Sequence, residues 1–233
     1  MQLFNLLATF CTALFAAQSQ LDSVRDAFYD AKIVPDVLPS FDPTLEIYVE
    51  FLKASVIKPG AELSMNQTDT FPQFVLKSSR QTDMLKKYVV TMVDPDAYYP
   101  SDPSVSQVRH YLGANLTVDG VGRFWTTPIT NLTGPVTDWM PPSPPDDSDP
   151  HRYVVLVYQQ PPDFTLDGIK PPDFTLDGIK PHLNSTSDRM HFNATSDRMH
   201  FNISSFASAV GLRGPVGGTY FLTGADSGAV VGR

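Results

Sequence analysis

Cysteine is almost absent from this chain, and the single one, Cys11, lies close to the amino terminus. One thiol cannot form an internal disulfide, and it cannot supply the several thiolates of a structural zinc site. A cysteine nucleophile in the body of the domain is excluded as well. The folded state must therefore be stabilised by packing rather than by covalent cross-links.

The chain also has no basic cluster, since 17 Lys and Arg residues are outnumbered by 25 Asp and Glu residues, for a net charge of −8. Nucleic-acid backbones attract stripes of Lys and Arg, so we expect no nucleic-acid partner. Hydrophobic residues make up 42% of the chain and charged residues only 18%, which is typical of a folded globular protein. A length of 233 residues is enough for one domain with a substantial core.

Charge is missing from the first twenty side chains, MQLFNLLATFCTALFAAQSQ, which have a long apolar centre. The small residues Ala17 and Ser19 fit the −3 and −1 positions of a cleavage site. This pattern predicts a signal peptide over residues 1–19 and an exported chain with a single domain over residues 20–233. An uncleaved membrane anchor and a buried amino-terminal helix are the alternatives. No second long apolar run follows, so we expect no transmembrane segment in the mature chain.

Asparagine sequons support export. The chain has seven asparagines, and six of them begin an Asn-X-Ser/Thr sequon. Such an excess indicates that N-linked glycans are used. The predicted glycosylation sites are Asn66, Asn115, Asn131, Asn184, Asn193 and Asn202. Of these, Asn115 lies in a strand-like run, where a buried and unmodified side chain is the alternative.

Strand patterns dominate the rest of the chain. Residues 45–51, LEIYVEF, alternate between apolar and polar, as in a half-buried strand, and residues 88–93, YVVTMV, are apolar enough for a central one. The 21 prolines argue against long helices. The predicted fold class is mainly β, an antiparallel β-sandwich with short peripheral helices. Further strands are predicted over 110–118, 122–130 (interrupted by Pro128), 152–158 and 219–222, and short helices over 22–31 and 204–210.

Two tandem duplications lie in the segment 161–202. PPDFTLDGIK occurs at 161–170 and again at 171–180, and TSDRMHFN occurs at 186–193 and again at 195–202. One interpretation is an enlarged loop that forms a lid or a partner surface. The other is an insertion tolerated in a surface loop, which costs little free energy. The second interpretation is favoured, because identical copies show no sign of specialisation.

Polar side chains follow or precede the predicted strands at one common edge. Asp94 and Asp96 come directly after the strand 88–93, and His110 opens the strand that returns antiparallel to it. His151 opens a later strand that starts at the same edge, and Tyr153 points to the same side as His151. Imidazole and hydroxyl groups donate hydrogen bonds to anions, so this edge is a candidate anion site. The alternative is purely local structure, because Asp-Pro-Asp is a common turn sequence.

The same residues carry a resemblance to a known family. Asp94-Pro95-Asp96-Ala97, the later VRHYLGANL with His110, the Pro-rich loop that ends in His151-Arg152-Tyr153, and FNISSFASAVGLRGPVGGTYF at 201–221 occur in this order. In these motifs the chain resembles the phosphatidylethanolamine-binding protein family, also called the Raf kinase inhibitor family, and most of all its secreted fungal members. The family's usual basic residue near the first motif is missing here.

The resemblance implies a β-sandwich with a small cavity at one sheet edge that binds phosphate-like anions, including phospholipid headgroups. It implies that Asp96 and Arg152 form a structural pair beside the cavity. It implies no enzyme activity, no cofactor and no metal. The cavity residues carried over by motif are Asp94, His110, Pro144, Pro145, His151 and Tyr153.

Three functions follow as hypotheses for a secreted, monomeric protein. The first is noncovalent binding of a phospholipid headgroup or another phosphate or carboxylate ligand. The second is inhibition of a serine carboxypeptidase, because fungal members of the family include such an inhibitor. The third is metal-dependent hydrolysis, since two aspartates and two histidines could hold a divalent ion.

Overall fold

The structure is a computed structural model, and it describes residues 17–78, 80–118, 126–131, 133–166 and 195–225. Residues 1–16, which make up most of the predicted signal peptide, lie outside the described residues. The same holds for the sequons at Asn184 and Asn193 and for most of the duplicated segment 161–202. Those predictions stay as they were made.

Nine strands form one hydrogen-bonded sheet in the order β2-β1-β4-β7-β6-β5-β8-β9-β3. Neighbouring strands are antiparallel, except that β3 and β9 are parallel. The prediction of a mainly β, antiparallel fold is confirmed. The strands are β1 (Glu46–Glu50), β2 (Ser55–Val56), β3 (Ala61–Glu62), β4 (Gln73–Lys77), β5 (Lys87–Asp94), β6 (Val108–Val118), β7 (Thr126–Asn131), β8 (His151–Gln159) and β9 (Gly217–Thr223).

The sheet folds back on itself so that its two halves enclose a core. The amides of Thr44 and Leu45, just before β1, both donate to the carbonyl of Val216, just before β9. The alternation predicted for residues 45–51 is confirmed, because Leu45, Ile47, Val49 and Phe51 all face this core. Tyr88, Val90 and Met92 of β5 and Tyr153, Val155 and Val157 of β8 fill the same space.

A second apolar cluster covers the outer face of the central strands. Val89 and Val93 of β5 and Val154 and Leu156 of β8 pack there, which explains why these strands read as continuous apolar runs. Short helices supply the other side of this cluster. They are α1 (described from residue 17 to residue 30), α2 (Ile33–Asp36) and α4 (Ile203–Ala209). A further short helix, α3 (Thr195–Arg198), contributes no described side chain to the cluster.

Two local predictions differ from the structure. The first helix includes residue 17 and so begins before residue 22, crossing the predicted signal boundary without a break. Pro128 does not interrupt its strand, since it pairs with Val75 inside β7. In the described part of the chain, no helix has the length and apolarity needed to cross a membrane.

The second copy of TSDRMHFN, residues 195–202, is part of the folded domain. Phe201 is fully buried, and Cζ of Arg109 lies over its ring at 4.7 Å from the ring centre. Asn202 caps α4 by accepting a hydrogen bond from the amide of Ser205. The copy at 195–202 therefore belongs to the packed domain, while the interpretation of the duplication as a surface insertion stays a prediction, because the copy at 186–193 lies outside the described residues.

Candidate functional site

The ends of three central strands meet at one edge of the sheet, as their directions predict. Asp94, the last residue of β5, pairs with Val108, the first residue of β6. Val93 pairs with Val154 of β8, and β8 begins at His151 beside them. Residues distant in the chain thus arrive at a common rim because β6 and β8 both run antiparallel to β5.

His110 occupies an irregular position in β6. Met92 pairs with Tyr111 and Val93 pairs with Arg109, so His110 is the extra residue between two successive pairs. A bulge of this kind re-aims a side chain and is common beside functional sites. As a result the imidazole of His110 faces Tyr153, with ring centres 5.1 Å apart and planes nearly perpendicular.

His151 is held at both ring nitrogens. Its Nδ1 lies 2.9 Å from Oδ2 of Asp94, and its Nε2 lies 2.9 Å from Oγ of Ser148. The hydroxyl of Ser148 donates to the carbonyl of Asp149, so its oxygen is left to accept from His151. Burial disfavours the charged imidazole, but the hydrogen bond and negative charge of Asp94, helped by Asp96, outweigh this and raise the pKa of His151.

His110 has the opposite tendency. Its Nδ1 donates to the carbonyl of Met140 over 2.8 Å, because a carbonyl can only accept. Its Nε2 lies 4.0 Å from Oδ2 of Asp94. Burial lowers the pKa of His110, and the attraction of Asp94 and the bond to Met140 offset this only in part. The pKa values of the two histidines are therefore shifted in opposite directions, upward for His151 and downward for His110.

Tyr153 lies between the two histidines and the inner core. Its ring stacks on Phe221 with centres 5.4 Å apart, and it is almost parallel to the ring of His151. Burial raises the pKa of Tyr153 far above its ordinary value, and the charge of Asp94 acts in the same direction. The hydroxyl therefore keeps its proton and can donate to a ligand.

These residues line a cavity of about 250 Å³. Asp94, His110, Pro145, His151 and Tyr153 all contribute to its wall. Pro144, the sixth predicted residue, is buried next to Pro145 but is not among the lining residues. The remaining lining residues are Ala97, Tyr98, Val108, Met140, Pro141, Ser143, Arg198 and Met199.

Arg198 is the cavity residue that the sequence analysis missed. It comes from the second TSDRMHFN copy and is only 6% exposed. Its Nη1 donates to the carbonyls of Asp138, Arg109 and His110 over 2.9, 3.3 and 3.4 Å. Burial lowers its pKa while Asp138 opposes the shift. The cavity wall thus contains a basic residue from a segment distant in the chain from the first motif.

Asp96 and Arg152 lie behind the cavity rather than in its wall. The carboxylate of Asp96 accepts from Nη2 of Arg152 over 2.7 Å, from its Nε over 2.9 Å and from its backbone amide over 2.7 Å. Arg152 also reaches the carbonyl of Ala31 and the carboxylate of Asp36. The pair therefore ties the start of β8 to the first two helices.

The charges in the cavity wall favour an anion. The pKa of His151 is raised, which favours its charged form, and Arg198 is a cation, whereas Asp94 is the one carboxylate among the lining residues. Its oxygens are already used by His151 and by the amide of Asp96. Within the described ranges, no group of three or more His, Cys, Asp or Glu side chains is placed to hold a metal ion.

A larger cavity of about 560 Å³ lies elsewhere on the sheet. Phe71, Phe74, Tyr111 and Trp139 form much of its wall, which contains no charged residue. Size alone would make it the first candidate for a ligand site. It has no cation to pair with an anion, so the smaller polar cavity is the better match to the predicted chemistry.

Sequence comparisons agree with this picture. A family model described as phosphatidylethanolamine-binding protein matches residues 53–205, more than half of the chain. The carboxypeptidase Y inhibitor of Saccharomyces cerevisiae is 26% identical over 170 residues, covering 64% of this chain and 77% of that protein. Protein FLOWERING LOCUS T of Arabidopsis thaliana is 25% identical over 138 residues, covering 59% of this chain and 71% of that protein.

Solved structures show the same fold. The carboxypeptidase Y inhibitor complexed with its cognate proteinase superimposes with a TM-score of 0.64 at 22% identity, covering 90% of this chain and 97% of that one. The phosphatidylethanolamine-binding protein of Plasmodium vivax gives a TM-score of 0.60 at 18% identity, covering 87% and 98%. Identities this low establish the fold and leave function to the site.

Proposed function

Because this chain belongs to the phosphatidylethanolamine-binding protein family, we propose that it binds an anionic group noncovalently in the 250 Å³ cavity at the sheet edge. The ligand is a phosphate, as in a phospholipid headgroup, or a small carboxylate. The observation that supports this most is the convergence of the His151 imidazole, the Arg198 guanidinium and the Tyr153 hydroxyl on one cavity.

Each residue has a distinct part in this proposal. His151, Arg198 and Tyr153 donate hydrogen bonds to the anion, and charge-assisted bonds of this kind are about twice as strong as neutral ones. Asp94 raises the pKa of His151 and orients its ring. His110 adds a further donor when it is protonated. Pro145 and the methionines on the wall exclude water, which strengthens the remaining polar contacts.

Calorimetric titration of the full chain tests the proposal. Inorganic phosphate, phosphoethanolamine and acetate are titrated at pH 6 and pH 7.5. Vesicles that contain phosphatidylethanolamine are then titrated, because they present the same headgroup on a membrane. We expect binding of phosphate and phosphoethanolamine, weakened at least tenfold by His151→Gln. A wild-type chain that binds none of the probes at either pH overturns the proposal.

Inhibition of a serine carboxypeptidase is the second candidate function. It is supported by the sequence similarity to the carboxypeptidase Y inhibitor. The fold is also similar to that of the same inhibitor, whose structure was solved in complex with its cognate proteinase. A peptidase assay with carboxypeptidase Y and increasing amounts of the full exported chain tests it. Concentration-dependent loss of activity supports inhibition, and unchanged activity at a large molar excess rules it out for that enzyme.

We propose binding without turnover, although Ser148, His151 and Asp94 are linked in the order of a catalytic triad. The Ser148 hydroxyl donates a hydrogen bond to the backbone carbonyl of Asp149, and Ser148 does not line the cavity. We therefore propose that its role is to hold the ring of His151 in place. A fluorophosphonate probe, which labels activated serines, should leave Ser148 unmodified. Labelling that the Ser148→Ala variant abolishes would establish a nucleophile, and stoichiometric zinc or manganese in the purified protein would revive metal-dependent hydrolysis.

The proposal also places the protein in the secretory pathway as a monomer. The charge-free amino-terminal twenty residues and the six sequons support export. Expression of the full chain in a eukaryotic host tests it, since an exported protein appears in the medium with residues 1–19 removed. Retention in the cell with an intact amino terminus contradicts export without affecting the anion site.

A further inference from the structure

Of the four sequons that the structure describes, Asn66 alone has an exposed side chain. It lies in the 3₁₀ turn Met65–Gln67, which directly follows the edge strand β3. Asn131 and Asn115 are only partly exposed, and their amide nitrogens donate hydrogen bonds to Gly134 and Thr133. Asn202 is also partly exposed.

The atom that a glycan needs is free at Asn66. N-linked sugars are attached to Nδ2, whereas Lys53 contacts only the backbone and side-chain oxygens of Asn66. Attachment would therefore leave these contacts in place. At Asn131, by contrast, Nδ2 donates over 2.8 Å to the carbonyl of Gly134 within a turn that also bonds Thr133.

Asn66 lies at the seam where the folded-back sheet has its two edges. We call residues 52–69 the seam segment, because it contains both edge strands, β2 and β3, and the Asn66 turn. Nζ of Lys53, in the β1–β2 connection, bonds both Asn66 and Asp69 and so holds that connection against the turn. Open strand edges attract other chains and are usually covered in native proteins.

Two large apolar side chains are exposed in the same segment. Leu52 is 82% exposed and Ile57 is 62% exposed, and they flank β2 on its two sides. An apolar pair beside an unpaired strand edge favours association between copies. A bulky hydrated group attached beside this edge would oppose such association.

We infer that Asn66 carries an N-linked glycan that covers the seam segment and prevents edge-to-edge association of this chain. The sugar is bulky and strongly hydrated, and it is attached next to the Lys53 contact that holds the two edges together. Asn131 and Asn115 are poorer acceptors, because both are only partly exposed and the Nδ2 of each already donates a hydrogen bond within the fold. The inference depends on export and not on the anion site.

The test uses the full chain secreted from a eukaryotic host. Glycopeptide mass spectrometry should show the Asn66 peptide occupied in most molecules and the Asn131 peptide unoccupied. Asn66→Gln should lose one glycan mass and form a concentration-dependent dimer in analytical ultracentrifugation. The matched control Asn131→Gln should change neither mass nor oligomeric state.

A rescue variant separates shielding from folding. Adding Leu52→Ser and Ile57→Ser to Asn66→Gln should restore the monomer while circular dichroism stays unchanged. An unoccupied Asn66 beside another occupied sequon overturns the inference, and so does an Asn66→Gln variant that remains monomeric. If no sequon is occupied, the export prediction fails together with it.

Discussion

Nδ1 of His151 donates a hydrogen bond to Oδ2 of Asp94 over 2.9 Å, and this contact joins the start of β8 to the end of β5. Replacing Asp94 by Asn removes the negative charge that raises the pKa of His151, while burial continues to lower it. We expect the pKa of His151 in Asp94→Asn to fall below that of the wild type. Proton–nitrogen correlation spectra of the imidazoles across pH 5 to 9 measure this, and an unchanged pKa contradicts it.

The same pair makes folding stability depend on pH. The pKa of His151 is raised on folding, so its contribution is full below the unfolded value of about 6.5 and is lost as pH rises through the folded value. The pKa of His110 is lowered on folding, so its contribution makes stability increase with pH up to about 6.5. In urea unfolding of the wild type, the free energy of unfolding should decline above about pH 6.5. In Asp94→Asn most of this decline should be absent.

Anion affinity should also follow the charge of His151. Sulfate keeps the same charge over this range, so its affinity reports only on the protein. We expect the affinity to fall by about tenfold as pH rises through the raised pKa of His151, because one charge-assisted hydrogen bond contributes about 1.5–3 kcal/mol. His151→Gln should bind sulfate weakly and with little pH dependence. A flat wild-type profile would show that His151 does not contact the ligand.

The duplication provides a matched pair of arginines. Arg198 lines the cavity, and Arg189 occupies the same place in the other TSDRMHFN copy. Arg198→Met should weaken phosphate binding by tenfold or more, because it removes a buried cation from the wall. Arg189→Met has the identical local sequence change and should leave binding unaltered. Equal losses in the two variants would mean that Arg198 has no special position.

A second matched pair tests stability. Phe201 is fully buried among the outer-face core residues, and Phe192 is its equivalent in the other copy. Phe201→Ala should lower the free energy of unfolding by about 3–5 kcal/mol through lost burial and a cavity. We expect Phe192→Ala to cost much less. Chemical denaturation of both variants measures the difference, and similar costs would contradict the assignment of the second copy to the core.

The parts of the fold that follow simple periodicity could be predicted from the sequence. The alternation over residues 45–51 correctly predicted four side chains of the inner core. Successive side chains of a strand point to opposite faces, so alternate apolar residues all lie on the buried face. The meeting of Asp94, His110 and His151 followed from strand directions alone. Both predictions need only the local hydrophobic pattern and the number of times the chain reverses direction between strands.

Features set by long-range packing could not be predicted in this way. The extra residue at His110 arises from a mismatch in pairing between β5 and β6, which no single-strand pattern shows. Arg198 was overlooked because the duplication was interpreted as a surface insertion, whereas its hydrogen bonds to the carbonyls of Asp138, Arg109 and His110 depend on packing between distant segments. Pro128 is accepted inside β7 because its partner β4 supplies the remaining ladder.

The two identical copies of TSDRMHFN, at 186–193 and 195–202, should be under different evolutionary constraints. The copy at 195–202 is tied to the helix that follows it, so a substitution there changes a cavity wall or the packing beneath Arg109. The copy at 186–193 has no such neighbour in sequence. Related genes that inherit the duplication should therefore accumulate changes in the first copy while the second keeps its arginine and phenylalanine.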